Sequence, residues 1–395
     1  MAKDEIKKLL DQINNVLESP EHKRRESLWK EEAVYSRDKF RRISKPQSEI
    51  GGQVPVVADP GPTMYAKIFG FNMREYYTKP EVYLENYLKC MLSLYQMGDD
   101  TTFSRTIPFW LGTSFDASLF GLDTIYNEED DPWPGRKLPL ENKDALDNME
   151  LPNFEKSGLS PLAIRFYTEL TDLVRDSGFN IAPPEIIRAP FALAFHIRGF
   201  TNLAFDCMED PEYVHKLVRF LTDARREWYK QREKVLGVPT VKGQLFNDEV
   251  DCNVIGPNIY KEYAFPYELE LSEFYGGINY WHSCGNITKM LEYIRQIPNL
   301  EMINISSWTN YEAAASMCPD IALEICLKPT TDVYHARKEH IVKVVNRVQD
   351  ICARHNVKSY QIRAGSLQGY GETIEGDFAK IARWIKVVKE TVNKN

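Results

Sequence analysis

The second half of the chain alternates five times in succession between a short apolar run and an amphipathic helical pattern. The runs are 242–247 (KGQLFN), 277–282 (GINYWH), 301–306 (EMINIS), 321–326 (IALEIC) and 359–363 (SYQIR). Helical periodicity follows them at about 258–274, 286–297, 311–317, 335–355 and 376–392. A strand that returns through a helix to its own sheet comes back parallel, so the series demands a parallel sheet. Two architectures satisfy that demand, a closed barrel and an open doubly wound sheet. An open sheet gathers its chemistry at one switch point, whereas a barrel displays it around one rim. Here reactive residues close unit after unit: Asn247, Asp248 and Glu249, then His282 and Cys284, Ser306 and Trp308, Cys326, and Arg363. The expected fold is therefore α/β, a (β/α)8 TIM barrel.

The first half is less regular. Helices are expected at 5–17, 80–96, 159–177 and 211–236, with a strand near 184–195. Residues 1–50 read as an N-terminal helical extension to a barrel domain spanning 51–395. Residues 123–154 carry prolines but keep their aromatics, which suits an insertion or lid better than a linker. With 43% hydrophobic residues, a chain of 395 has ample material for a large core. The net charge of −8 argues against nucleic acid or an anionic membrane surface as partner. The basic stretch at 39–42 is short and reads as a solvated helix face. No apolar run reaches the roughly 20 residues of a membrane span, and the polar opening has no leader-like apolar stretch. Seven scattered cysteines, an odd number, suit reduced thiols in a cytoplasmic protein. The sequons at 286–288 and 304–306 then carry no weight.

The chemistry concentrates in Tyr280-Trp281-His282-Ser283-Cys284-Gly285-Asn286. Residues two apart on a strand face the same side, so His282 and Cys284 can address one point. Gly285 and Asn286 suit a tight turn into a helix. Cys326 closes another strand after 41 intervening residues. Two sulfurs and a nitrogen make a borderline-soft tetrahedral set fitted to Zn²⁺, with a fourth position for a weak ligand or substrate. Taken alone, these residues leave a metal site and a buried core cluster both open. Asp248 and Glu249 could fill the fourth position or move a proton as catalytic carboxylates, or merely be solvated. Asp99-Asp100 could equally cap a helix, and His196 suits a core position. Gly369-Tyr-Gly371 lacks the third glycine of a dinucleotide fingerprint.

With those residues in view, the chain from about 55 to 387 resembles the uroporphyrinogen decarboxylase superfamily, and within it the zinc-dependent corrinoid methyltransferase branch. The stretches that carry the resemblance are FDCMEDPEYVHKLVRFLT (205–222), NDEVDCNVIGPNIYKEYAFP (247–266), WHSCGN (281–286) and the MGDD segment 97–100. The resemblance implies a metal motif His-x-Cys-Gly with a distant Cys, matched by His282, Cys284, Gly285 and Cys326. It implies Zn²⁺ as resident metal and methyl transfer from a small methylated substrate, as in O-demethylases acting on phenyl methyl ethers. The acceptor it implies is cobalamin on a separate corrinoid protein, since no Asp-x-His-x-x-Gly motif occurs here. A methylcorrinoid:thiol methyltransferase of the coenzyme M type is one alternative, although the 41-residue interval is shorter than in those members. A uroporphyrinogen-type decarboxylase is another, but the stretch 54–65 (VPVVADPGPTMY) lacks the arginines that bind a polycarboxylate. Substrate contacts are expected from Trp110, Tyr280, Trp308, Asn247 and Arg363, with Phe109, Tyr275 and Trp281 as further aromatic wall or core.

Overall fold

The structure is a computed structural model that describes residues 2–35, 42–46 and 53–393; residues 39–41 of the basic stretch lie outside them. Six parallel strands form the main sheet: β1 (Val56–Pro60), β2 (Gly243–Phe246), β3 (Ile278–His282), β4 (Met302–Ile305), β5 (Ala322–Leu327) and β6 (Tyr360–Leu367). Their order across the sheet is β1-β6-β5-β4-β3-β2. All five strand–helix units expected from the sequence are present, and each strand is largely buried on both faces, as helix-covered parallel strands must be.

The expected barrel is realised only in part. The sheet curls, but among the described residues no continuous ladder joins β2 back to β1. Arg188 bridges in parallel to Phe246, and Asn180–Ile181 pairs in parallel with Thr106–Ile107. The remaining edge, that of β1, is satisfied mainly by side chains. Asp100 accepts from the Val56 amide at 3.0 Å and Asp99 from the Ala58 amide at 3.1 Å, while the Asp100 amide donates to Val56 O. Buried carboxylates thus stand in for part of a neighbouring strand, giving the edge the partners that unpaired amides require.

Two segments differ from expectation. Residues 184–195 contain no strand but the start of a helix, Pro190–Arg198, with proline at its first position and every residue except His196 buried. A helix apolar on nearly all sides has no 3.6-residue stripe, and so reads like a buried strand. After β3 the regular helix is short, Leu291–Ile294, preceded by turns. The N-terminal extension holds helices Ala2–Leu17 and Pro20–Glu26 followed by an antiparallel pair, Trp29–Tyr35 with Arg42–Pro46, so it is not wholly helical. Ile6, Leu9, Leu10, Ile13 and Leu17 of its first helix are buried in the same core as the barrel helices. Within 123–154, Thr124–Ile125 and Trp133–Pro134 form a small hairpin.

Candidate metal centre and cavity

Strand register stacks the inward residues in layers two residues apart. Asn304 is level with Glu324, Glu324 with Gln361, and Cys326 with Arg363; Ile303 is level with Trp281, which sets His282 beside Asn304. The lowest of these layers holds Gln244, Tyr280, Met302 and Ala322, and Phe246, level with His282, packs onto the last three. Above it lies a polar layer of His282, Asn304, Glu324 and Gln361, and above that Ser306, Cys326 and Arg363, with Cys284 just beyond the end of β3. The upper residues open into a cavity of about 880 Å³ at the C-terminal ends of the strands, where barrels carry their chemistry.

His282 Nε2 lies 3.2 Å from Cys284 Sγ and 3.1 Å from Asp248 Oδ1. These three residues each offer a ligand atom within 4.8 Å of the others. Cys326 stands outside that group. Its sulfur accepts from Asn304 Nδ2 at 3.2 Å and lines the same cavity. The donor chemistry fits a divalent metal: an imidazole, a thiol and a carboxylate converge at the mouth of the barrel, with a second thiol on the same wall.

The layer below supports the ring. Tyr280 accepts or donates at His282 Nδ1 across 3.2 Å and donates its hydroxyl to Glu324. Glu324, fully buried, also accepts from Asn304 and Gln361 at 2.7 Å each and from Arg363 at 3.0 Å. Arg363 donates in turn to Asp59. Burial disfavours the guanidinium charge, but Glu324 and Asp59 outweigh it and raise the Arg363 pKa. Gly285 is required by close approach: a Cβ there would sit 2.5 Å from Asp251, whose carboxylate accepts the Asn286 amide at 3.0 Å.

The other expected residues divide. Glu249 accepts from Arg188 at 2.6 and 2.8 Å and bonds His196 Nε2 at 2.6 Å. Burial would push its carboxyl up; Arg188 and His196 reverse that and hold it below its ordinary value. Trp308 is 64% exposed and lines the cavity, as Arg363 does. Asn247 and Trp281 instead donate to buried Glu268, both at 2.8 Å. Tyr280 is fully buried below the cavity. Trp110 packs edge-on to Tyr77, Phe109 against Phe166, and Tyr275 accepts from Arg225. None of these six is among the cavity-lining residues. They fill the apolar shell because their rings or polar tips find partners there.

Sequence reasoning missed three kinds of contributor. Trp133 and Tyr370, 53% and 50% exposed, join Trp308 in lining the cavity. Glu129, Asp130 and Asp131 bring the 123–154 segment over it, with Asp130 accepting from the Trp133 indole at 3.1 Å and Asp131 from Tyr77 at 2.6 Å. Glu324 and Gln361 form the support. Their signal was available: each is a polar residue inside an otherwise apolar strand.

Comparison with known proteins matches residues 62–390 to uroporphyrinogen decarboxylase (URO-D). The chain belongs to the uroporphyrinogen decarboxylase family. Within that superfamily its similarity is to the methyltransferase branch. It is 26% identical over 170 residues to a methylated-thiol–coenzyme M methyltransferase of Methanosarcina mazei, covering 43% of this chain and 40% of that one. The chain thus matches less than half the length of that curated relative. A solved methyltransferase from Methanosarcina mazei superposes with a TM-score of 0.59 at 11% identity, over 85% of this chain and 94% of the other. That likeness establishes a shared fold. As for membranes, no described helix of this URO-D family member is long and apolar enough to cross one.

Proposed function

We propose that the protein is a cytoplasmic, zinc-dependent methyltransferase that moves a methyl group between a small methylated substrate and the cobalt of a corrinoid carried by a separate protein. The observation that carries this reading is the convergence of His282, Cys284 and Asp248 on one point of a large cavity that Cys326 also lines. In it His282, Cys284 and Cys326 hold the metal, and Asp248 stands at the fourth position. Zinc held there would supply Lewis acidity, polarising an ether oxygen or lowering the pKa of a thiol. The chain's own residues do the rest. Trp308, Trp133 and Tyr370 offer rings for a flat substrate such as a phenyl methyl ether. Arg188, held by Glu249, also reaches Asp248 at 3.7 Å and offsets the repulsion between the two adjoining carboxylates. The hairpin bearing Trp133 forms one wall of the chamber.

A second reading, transfer from a methylcorrinoid to a thiol, is favoured by the name of the Methanosarcina relative. A decarboxylase acting on a polycarboxylate is disfavoured by the acidic lid and by the pairing of Arg363 with two carboxylates. The test is elemental analysis of purified protein combined with an anaerobic screen. Methyl ethers, methylamines and methyl thiols are offered with cob(I)alamin, and thiols with methylcob(III)alamin, following the corrinoid's visible spectrum. One zinc per chain, lost in Cys284→Ser together with any transfer, is expected. Full activity in a zinc-free protein would refute the proposal, and turnover with thiols alone would select the second reading.

A further inference from the structure

The layer beneath the candidate ligands carries information about where a proton sits. Tyr280 has one hydroxyl hydrogen, and both Glu324 and His282 Nδ1 lie within its hydrogen-bond reach. Glu324 already receives hydrogen bonds from Asn304, Gln361 and the Arg363 guanidinium. A carboxylate held by a guanidinium and two amides is a pure acceptor, so the Tyr280 hydrogen goes to it. The phenol oxygen then faces Nδ1 with lone pairs only, and the contact is a hydrogen bond only if Nδ1 carries a hydrogen. A neutral imidazole protonated at Nδ1 is bare at Nε2. That bare nitrogen is the atom 3.2 Å from Cys284 Sγ and 3.1 Å from Asp248.

We infer that Tyr280 is a positioning residue. Through Glu324, itself anchored by Arg363 and Asp59, it fixes His282 as the Nδ1–H tautomer and so presents the Nε2 lone pair at the cavity. Metal-binding histidines commonly donate their second N–H directly to a carboxylate or carbonyl. Here a phenol is interposed, and the carboxylate acts one bond further away. The assignment of that lone pair to a metal rests on the zinc reading above; the direction of the hydrogen bonds does not.

The experiment separates the two. Long-range ¹H–¹⁵N spectra of metal-free, ¹⁵N-histidine-labelled protein at pH 8 report the His282 tautomer, assigned by comparison with His282→Gln. Zn²⁺ affinity is measured in parallel by competition with a chromophoric chelator. The expected results are an Nδ1–H ring in the parent protein, a shift towards Nε2–H in Tyr280→Phe, and zinc affinity lower by roughly 10–100-fold in that variant. An Nε2–H or doubly protonated ring in the parent protein overturns the inference, whatever Tyr280→Phe does and even if zinc binds tightly. Unchanged zinc affinity in a folded Tyr280→Phe overturns the positioning role. An Nδ1–H ring in a parent protein that binds no zinc upholds the hydrogen-bond relay and removes the metal reading instead.

Discussion

At the residue scale, buried charge is placed where a strand lacks a neighbour. Asp99 is fully buried, and burial pushes its carboxyl up to about 6 despite the Thr101 and Ala58 hydrogen bonds. A folded pKa above the unfolded value means that the native state holds its proton more tightly. The associated stability is therefore fully present below pH about 4 and is lost as pH rises through about 6. With a shift of about two units, the change is about 3 kcal/mol. Chemical denaturation from pH 4 to 7 should show the parent protein losing about that much relative to Asp99→Asn; parallel curves would contradict the assignment. Glu249 works in the opposite sense. Arg188 and His196 lower its pKa, so its contribution is present above pH about 4.5 and fades on acidification. In Glu249→Gln, stability should fall less steeply below pH 4.5 than in the parent protein, as read by thermal melts. The proximity of His282 and Cys284 was legible from their spacing in sequence, although Cys284 lies just past the end of β3, in the bend that follows it. Asp248 as their neighbour was less so, since loop conformation, and not periodicity, brings a carboxylate to 3.1 Å from the ring.

At the element scale, the strands were readable and several helices were not. Apolar runs such as MINI and ALEICL announce buried strands. The helix Pro190–Arg198 shows the same apolar density without a stripe, and length alone could not separate the two. Loops were the least legible part of the site. The turn after β6 is held by Asp377, at the start of helix Ile374–Val392, which accepts the amides of Tyr370 and Gly371 at 2.7 Å. Asp377→Ala leaves both amides without that acceptor, so a loss of about 1–3 kcal/mol is expected. Tyr370 would also drift from the cavity wall. Urea melts should show the first effect and a raised KM with little change in kcat the second; a kcat loss at unchanged KM would place Tyr370 elsewhere.

At the scale of the whole molecule, the N-terminal helix is an integral wall. Burying five side chains as large as Ile6, Leu9, Leu10, Ile13 and Leu17 contributes on the order of 8–15 kcal/mol by area arguments, an upper bound. That equals the entire net stability of a typical domain. Deleting residues 2–17 should abolish a single cooperative thermal transition. A truncated chain melting within a few degrees of full length would show the helix to be dispensable. The curled parallel sheet was foreseen from five repeated units, as part of a closed barrel. Its incomplete closure was not, because nothing in the sequence marks Asp99 and Asp100 as substitutes for a strand.

The layered register described above has a consequence for how this chain can change. Inward and outward positions on a strand have opposite parity, so slipping β5 by one residue against its neighbours would turn Glu324 and Cys326 out of the barrel together and bring Leu323 and Ile325 in. The chamber can gain or lose residues of its lining only in pairs, or by exchanging side chains in place. Its loops, free of that arithmetic, are where a different small molecule could be accommodated without disturbing the floor.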